Sequence, residues 1–291
     1  DIDHYNIYLY TNIKPLNNVT LTLGASGDFY DSDDKDVNEQ DYDQDQFNPK
    51  LGVVWEPLPG TTIRGAAFRT LKRTLITDQT LEPTQVAGFN QFFDDVDATE
   101  AWVYGGGIDQ KITSSIYAGA QLTYRDMEVP YTTGFEDTTK YREADWEEYL
   151  GRAYLYWAPH KWLSLSAEYG YEDYEYADEV NLGAKDVKTH KFPLGVNFFH
   201  PSGLSAAIKG TYYDQDGKFE NFETATFKSA SDTFWIFDAA IGYRLPKRYG
   251  FITLGATNLL DEDDFEYWEV DLKNPRIQPD RTVYGKITIS F

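Results

Sequence analysis

The sequence predicts an all-β fold, an antiparallel transmembrane β-barrel of about 14 strands. Apolar and polar residues alternate with a period of two along much of the 291-residue chain, whereas helical periodicity is hard to find. The connections between the alternating segments are short and long in turn. Tight periplasmic turns and long outer loops are typical of outer-membrane barrels, so the alternation of loop lengths favours this fold over a soluble β-sandwich.

Thirteen segments carry the strand pattern. Segment 282–291 shows it most clearly, because every second residue from Val283 to Phe291 is apolar or glycine and most of the others are polar. The predicted strands are 4–12, 19–29, 48–57, 61–71, 100–112, 115–127, 145–158, 162–175, 189–199, 204–214, 233–245, 250–258 and 279–291.

The connections between these strands define the two ends of the barrel. The short ones contain proline, glycine, asparagine or serine, which favour turns. The long ones are polar: 30–47, 72–99, 128–144, 176–188, 215–232 and 259–278.

The direction of the strands bears on their number. The first strand ends in a short turn and the last follows a long loop, so both are expected to run toward the periplasm. Bacterial single-chain barrels have an even number of antiparallel strands. At least one more strand is therefore expected, either within loop 72–99 or, more simply, before Asp1. Residues 1–291 are accordingly predicted to form one barrel domain, the C-terminal part of a longer chain.

Composition excludes several functions. Lys and Arg total 26 against 48 Asp and Glu, a net charge of -22, which argues against a nucleic-acid partner. There is no cysteine for disulfides or thiol chemistry, and the four histidines lack metal-ligand spacing. No apolar run reaches about 18 residues, so no membrane-spanning helix is expected. We predict no metal and no cofactor.

No catalytic motif is visible either. The chain lacks a Gly-x-Ser-x-Gly sequence, a phosphate-binding glycine loop and any His near a Ser and Asp constellation, so we predict that it is not an enzyme. Loop 28–45 is strongly acidic, but Gln46 stands where a calcium loop needs glycine. A second acidic run covers 261–264. Both are expected to be solvated loop charge.

Aromatic residues next to the short turns predict a girdle at the membrane surface. Phe291 also ends the chain on the apolar face of the last strand, as in outer-membrane proteins. The expected location is therefore the bacterial outer membrane, with its lipid and lipopolysaccharide as partners and another envelope protein as a further possible one. The predicted girdle residues are Trp55, Trp157, Trp162, Tyr243 and Phe291.

Charged residues on the polar strand faces are expected to line a pore. A charge facing lipid costs about 2–4 kcal/mol at the midplane, so these side chains should point inward. Loop 72–99 is the candidate for an inward constriction, with Phe89, Phe92 and Phe93. The predicted pore-lining residues are Lys50, Glu56, Asp109, Lys111, Arg125, Arg152, Glu168, Glu172, Lys191, Lys209, Asp238, Arg244 and Lys286.

Two stretches resemble the barrels of TonB-dependent receptors. The segment 255–261 (GATNLLD), with Pro and Arg residues before the final strand, is similar to the end of these barrels, although Leu260 replaces the usual Phe. Residues 81–85 (LEPTQ) resemble a Leu-x-Pro-Glu stretch of the family with two residues exchanged. Residues 81–95 also look like barrels that follow tetratricopeptide repeats. The family has an N-terminal plug, a TonB box and about 22 strands, and this sequence contains neither plug nor box.

Three functions follow as hypotheses. The first is a passive or export pore for small solutes or polymer. The second is a structural or adhesion barrel whose acidic outer loops bind a partner. The third is a barrel fragment of a TonB-dependent receptor, as the resemblance implies.

Overall fold

The computed structural model describes residues 2–32, 42–72, 82–93, 95–133, 140–176, 184–221, 226–263 and 280–289. Thirteen strands form one sheet in which successive strands of the sheet pair with each other, and the first four strands and the last five pair antiparallel. Two short strands form a separate hairpin. In the described part of the chain, no helix is both long and apolar enough to cross a membrane.

The strands of the large sheet alternate between short and long connections. Pro246–Arg248 form a single 3₁₀ turn between two of them. The strands are β1 (Ile2–Leu16), β2 (Val19–Ser32), β3 (Tyr42–Leu58), β4 (Thr61–Leu71), β5 (Gln85–Val86), β6 (Phe89–Asn90), β7 (Glu100–Lys111), β8 (Ile116–Thr133), β9 (Lys140–His160), β10 (Leu163–Tyr176), β11 (Ala184–Phe199), β12 (Leu204–Asn221), β13 (Thr226–Arg244), β14 (Gly250–Thr257) and β15 (Thr282–Ile289).

All thirteen predicted strands are confirmed. The hairpin β5–β6 lies inside the predicted loop 72–99, but it is not part of the 13-stranded sheet. It therefore does not supply the missing strand, and the even strand count and the single-domain organisation stay predictions.

Many strands extend further at their long-connection ends, here called the outer ends, than the sequence predicted. For example, β8 continues to Thr133 although 128–144 was expected to be loop. On β8 the outward apolar series ends at Tyr124 and gives way to Asp126 and Glu128. The outward apolar series therefore stops at the edge of the lipid, whereas β8 itself continues beyond it.

The chain divides into two compact units. Unit 1 comprises Asp1–Asp109, Gln121–Leu150 and Tyr174–Asn181. Unit 2 comprises Gln110–Ala120, Gly151–Asp173 and Leu182–Phe291. In both units one strand face is apolar and exposed, as at Leu51 in unit 1 and Ile208 in unit 2. The opposite face carries most of the charged side chains, together with buried apolar ones such as Phe68 in unit 1 and Ile236 in unit 2, and is called the polar face below.

Candidate functional site

A segment of the long connection between β4 and β7 lies on the polar face of unit 1. This inner segment, residues 82–93, contains the hairpin β5–β6. Both residues at the hairpin tip have positive φ, 49° at Ala87 and 88° at Gly88, as a two-residue type I′ turn requires. Glycine adopts this conformation freely, whereas alanine pays roughly 1–2 kcal/mol for it.

Two glycines of the sheet make room for the hairpin. A Cβ on Gly52 of β3 would lie 2.9 Å from Ala87 Cβ and 2.9 Å from Val86 Cγ1. A Cβ on Gly105 of β7 would lie 2.3 Å from the Phe89 ring. Val86 and Phe89 are 0% and 1% exposed. Their burial contributes about 1.5–3 kcal/mol each, so the glycines create the seat that stabilises the hairpin.

The hairpin reaches well down the sheet. Gly52, which contacts the hairpin tip, pairs with Ala66 of β4. Ala66 lies five residues from Leu71, the outer end of β4, or roughly 16 Å along the strand at about 3.3 Å per residue. The apolar band of an outer-membrane barrel is about 25 Å tall. The hairpin therefore covers a large part of the depth of the polar face that β3, β4 and β7 form.

A buried polar cluster holds the start of the inner segment. The Tyr10 hydroxyl donates to Glu82 Oε1 at 2.6 Å and accepts a hydrogen bond from Gln91 Nε2 at 3.0 Å. Lys50 Nζ lies 3.9 Å from Glu82 Oε1 and donates to the Arg69 carbonyl at 2.7 Å. The Lys50 and Glu82 side chains are 2% and 0% exposed. Removing one partner of such a buried pair is strongly destabilising.

Arg64 of β4 holds the hairpin tip. Its guanidinium lies 5.3 Å from the centroid of the Phe89 ring, within the range of a cation–π interaction. Its Nε donates to Asp109 at 2.9 Å and its Nη2 donates to Gln121 at 3.2 Å. A Cβ on Gly88 would lie 2.4 Å from Arg64 Nη1. Arg64 thus links β4, β7 and β8 of the sheet to the hairpin.

Arg125 of β8 holds the end of the inner segment. Its guanidinium donates to Glu148 of β9 and to Asp95, which follows the segment. It also stacks on Phe93, with 3.7 Å between Cζ and the ring centroid. Lys72 Nζ donates to the Phe93 carbonyl at 3.1 Å. One buried cation therefore binds two carboxylates and an aromatic ring at this position.

A second polar cluster lies near the outer ends of β1 to β3. Asp28 Oδ1 is 3.0 Å from His4 Nε2 and accepts a hydrogen bond from Asn6 at 2.9 Å. Its Oδ2 accepts a hydrogen bond from Asn48 at 2.6 Å. Asp28 is thus a structural hydrogen-bond acceptor rather than one of the solvated loop charges that the sequence suggested. Within the described ranges, no group of three or more His, Asp or Glu side chains could hold a metal ion.

The polar face of unit 2 carries ion pairs that are more exposed. Arg152 Nη2 donates to Glu168 at 2.9 Å, with the two side chains 55% and 29% exposed. Lys191 Nζ lies 2.9 Å from Glu172. Lys209 of β12 stands directly opposite Asp238 of β13.

The structure places each of the thirteen predicted pore-lining residues on a strand of the sheet, at a position of the polar face. Asp109 pairs with Arg64, Arg125 pairs with Glu148 and Asp95, and Lys111 lies 5.7 Å from the ring centroid of Tyr117. Glu56, Arg244 and Lys286 are exposed. The role of all thirteen residues in lining a pore stays a prediction.

Sequence reasoning missed the partners of these residues. The missed residues are Tyr10, Arg64, Glu82, Gln91, Asp95 and Glu148. Arg64 stands on the polar face next to Ala66 and Phe68, so the alternation of β4 is too weak to assign its face. The Leu-x-Pro-Glu-like stretch contains Glu82, but nothing in it indicates a buried lysine partner. Of the constriction candidates, Phe89 contacts Arg64 and Phe93 contacts Arg125 on the polar face, and Phe92 is half-buried.

Aromatic residues mark the edges of the apolar face. Trp55 in unit 1 and Trp157, Trp162 and Tyr243 in unit 2 are exposed and lie next to short turns. Phe291, the fifth predicted girdle residue, lies outside the described residues. A row of four aromatic rings crosses the apolar face of unit 1: Trp102, Tyr104, Tyr124 and Tyr149. The distances between successive ring centroids are 6.1, 6.2 and 4.7 Å.

Acidic side chains follow this aromatic row toward the outer ends of the strands. The pKa of Glu128 is raised by desolvation and then by the nearby charges of Glu100, Glu143 and Asp145. Charged side chains facing outward cannot lie in hydrocarbon at low cost, so Glu128 stands beyond the membrane-spanning part of β8.

The motif 255–261 ends β14 with its first three residues and forms a turn with the remaining four. Asn258 has a φ of 47°, and its side chain donates to the Glu262 carbonyl at 2.7 Å and accepts from the Glu262 amide at 2.9 Å. The Asp261 carboxylate accepts hydrogen bonds from the backbone and side chain of Arg281 at 2.9 and 3.1 Å. The motif therefore shapes the turn and ties it to the residue before β15.

An antiparallel sheet with an exposed apolar face, a polar opposite face, aromatic edges and alternating loop lengths defines an outer-membrane β-barrel. The family model described as "TonB dependent receptor-like, beta-barrel" matches residues 1–259, and the chain belongs to this family. Its location is the bacterial outer membrane. The comparison with curated proteins found no match.

Solved structures share the fold at low sequence identity. The FrpB iron transporter from Neisseria meningitidis matches 97% of this chain with a TM-score of 0.74 and 12% identity. The ferric-catecholate import receptor Fiu from Escherichia coli K12, in its closed form, matches 97% with a TM-score of 0.62 and 13% identity. The siderophore receptor PirA from Pseudomonas aeruginosa matches 100% with a TM-score of 0.61 and 17% identity. The match covers 44%, 44% and 47% of these three chains, so this chain spans less than half of their length.

Proposed function

We propose that the chain is part of the barrel of an outer-membrane uptake receptor whose ligand is an iron chelate. The observation that carries the proposal is the inner segment seated on the polar face of unit 1 by buried pairs such as Lys50–Glu82. The polar face around Gly52 and Gly105 is covered by protein, which favours a receptor over a pore whose whole wall is wetted.

The names of the related structures support the ligand class. They are an iron transporter, a ferric-catecholate import receptor and a siderophore receptor. Charged side chains of the sheet and aromatic side chains of the inner segment lie together at the polar face of unit 1, as Arg125 and Phe93 do, and this combination suits a ligand with both aromatic rings and oxygen atoms.

Uptake in cells tests the proposal. The full-length protein would be produced in a Gram-negative host that lacks its own catecholate receptors, and uptake of a radiolabelled synthetic ferric tris-catecholate would be measured. We expect uptake above the empty-vector background that is lost when the gene is deleted. Equal uptake by the strain that produces the protein and by the empty-vector strain would overturn the proposal.

A passive or export pore is the second candidate. It is favoured by the polar face of unit 2, where Arg152 remains 55% exposed although it pairs with Glu168. Planar-bilayer recordings separate the candidates. A steady open current without added ligand would support the pore, whereas a closed protein that takes up the ferric chelate would exclude it.

A further inference from the structure

The polar face of unit 2 carries more positive than negative charge, although the whole chain has a net charge of -22. Of the predicted pore-lining residues, unit 1 holds two cations and two carboxylates, whereas unit 2 holds six cations and three carboxylates. Lys228 and Asp232, on the same face near the outer ends, leave this excess unchanged. The cations of unit 2 are Lys111, Arg152, Lys191, Lys209, Arg244 and Lys286, and its carboxylates are Glu168, Glu172 and Asp238.

Most of these cations are not held in ion pairs. Arg152 and Lys191 pair with carboxylates of β10. Within the part of the chain that the structure describes, the other four cations have no carboxylate oxygen within 4.0 Å, and all four are exposed. Asp238, which stands directly opposite Lys209, accepts a hydrogen bond from the Asn258 amide at 3.1 Å. Water therefore reaches these four cations, and their charge acts on a solute at this side of the sheet.

Three of the exposed cations follow one another along the adjacent strands β12 to β15. Arg244 is the last residue of β13, before a short connection. Lys286 of β15 is level with Gly242, two residues from Arg244 on β13. Lys209 of β12 pairs with Asp238, six residues from Arg244, or roughly 20 Å along the strand at about 3.3 Å per residue. These three residues, Lys209, Arg244 and Lys286, are here called the cation track.

The side chains beside the track are small. The polar-face positions of β12 and β13 between the levels of Lys209 and Arg244 are Ser205, Ala207, Ala240 and Gly242. The buried apolar residues Phe234 and Ile236 lie beyond this stretch, toward the outer end of β13. At these four positions no bulky side chain shields the cations from a solute.

From this arrangement we infer that the cation track binds anions and selects a ligand with several negative charges. A charged wall backed by hydrocarbon focuses its field into the adjacent water, because the wall has a low dielectric constant. At physiological salt the field of each cation extends for about 8 Å, so the wide spacing favours a small anion that moves from one cation to the next. The inference rests on the proposed uptake function, to which it adds the charge of the ligand.

The test measures binding of pyranine, a fluorescent trisulfonated dye, to the full-length protein in an uncharged detergent at low ionic strength. Fluorescence anisotropy gives the dissociation constant for the parent protein and for the track variant K209Q/R244Q/K286Q. Far-UV circular dichroism shows whether each variant is folded.

The control variant K188Q/K218Q/K228Q removes the same charge from the outer ends of β11 to β13. Lys188 and Lys218 pair there with Asp173 and Asp186. Because both triple variants have the same net charge, a general loss of attraction for anions would weaken binding equally in the two.

We expect the parent to bind pyranine, more weakly as sodium chloride is added, and the track variant to bind it about tenfold more weakly or worse. The control should stay within about twofold of the parent, as should K209R/R244K/K286R, which keeps the three charges. No binding by the parent, or equal losses in the track variant and the control, would overturn the inference. If the track variant does not fold, Lys286→Gln alone decides: weaker binding supports the track, and unchanged binding overturns it.

Competition separates this inference from the uptake function. The ferric tris-catecholate, a multiply charged anion, should displace pyranine, whereas the neutral ferric tris-acetohydroxamate should not, and equal displacement by both would overturn the inference. If the parent takes up no ferric tris-catecholate in cells but the track variant alone loses pyranine binding, the uptake function fails and the cation track stands. Uptake by the parent with equal pyranine affinity in all variants would give the reverse result.

Discussion

In unit 1, Gly52 and Gly105 on the polar face lie against Ala87 and Phe89 of the inner segment. In unit 2, glycines on the same face serve neighbouring strands instead. A Cβ on Gly119 would lie 2.6 Å from the Tyr154 ring, and a Cβ on Gly195 would lie 2.4 Å from Ser166 Oγ. Gly52 and Gly105 of unit 1 thus admit a separate segment of chain, whereas Gly119 and Gly195 of unit 2 admit side chains of neighbouring strands.

The ion pairs of the two units differ in how far they are exposed to solvent. The Lys50 and Glu82 side chains are nearly inaccessible, whereas the Arg152 side chain is 55% exposed. Water screens exposed pairs, so they contribute about 0–1 kcal/mol, whereas breaking a buried pair costs several times more. Removing a charge should therefore have a very different effect on the stability of the protein in the two polar faces.

The largest difference is expected from removing one cation in each unit. Lys50→Met leaves the buried Glu82 carboxylate without the ammonium group and should lower the free energy of unfolding by about 3–5 kcal/mol. The matched variant Arg152→Met should change it by less than about 1 kcal/mol. Urea unfolding in detergent micelles, followed by tryptophan fluorescence, measures both. Equal losses would contradict the contrast between the two faces.

The glycine seat is tested by a pair of neighbouring positions. Gly105→Val pushes a side chain into the Phe89 ring and should lower stability by about 1–3 kcal/mol. Gly106→Val has open space and should stay within about 0.5 kcal/mol of the parent. Limited proteolysis of the native protein should also cut the inner segment faster in Gly105→Val alone. Unchanged proteolysis would indicate that the hairpin does not depend on this seat.

Hydroxyl removal sharpens the comparison further. Tyr10→Phe removes the donor to buried Glu82 and should cost about 1–3 kcal/mol, because the carboxylate loses a hydrogen bond where water cannot replace it. Tyr156→Phe in unit 2 removes an equivalent donor to Glu168. Since that site is partly solvated, we expect a loss below about 1 kcal/mol. The same unfolding measurement decides, and a larger loss at Tyr156 would reverse the assignment of the buried cluster.

The smallest effect is expected at Glu128, and it tests whether burial of a charge, rather than its position in unit 1, sets the cost of a substitution. Glu128 belongs to unit 1 but faces outward, and its pKa is raised. A raised carboxyl pKa means that the folded state favours the protonated form, so the charge destabilises the fold at neutral pH. This penalty disappears as the pH falls through the folded pKa toward the ordinary value of 4.5.

Glu128→Gln should therefore stabilise the protein at pH 7 by less than about 1 kcal/mol and have little effect near pH 4. Unfolding curves at both pH values provide the measurement. Stabilisation that grows as the pH falls would contradict the sign of the shift.

Lipid contact explains why the strands could be predicted. Segment 282–291 and the others alternate because one face meets hydrocarbon and the other meets polar groups, and sequence records both. The strand ends could not be predicted from lipid contact, because beyond Tyr124 the pattern reverses: the outward residues Asp126 and Glu128 are polar, and the inward residues Met127 and Val129 are apolar and buried. β8 continues there with its apolar side chains on the inner face, which is the reverse of the pattern in the lipid-facing part of the strand.

The residues of the candidate site could be predicted from the sequence only in part. The aromatic content of loop 72–99 indicated Phe89 and Phe93, and strand alternation indicated Lys50 and Arg125. The partners of these residues come from segments distant in sequence, and Glu82 lies in a loop without periodicity. Glycines such as Gly105 read as ordinary strand residues until the chain that occupies the space above them is known.

The length of the strands has a mechanical consequence. β13 contains 19 residues, which extend for roughly 60 Å and, at a tilt of about 40°, rise about 45–50 Å, whereas the apolar band is about 25 Å tall. About half of such a strand stands outside the hydrocarbon as a hydrogen-bonded ribbon. A large molecule arriving from outside would first touch this stiff rim, well above the lipid head groups.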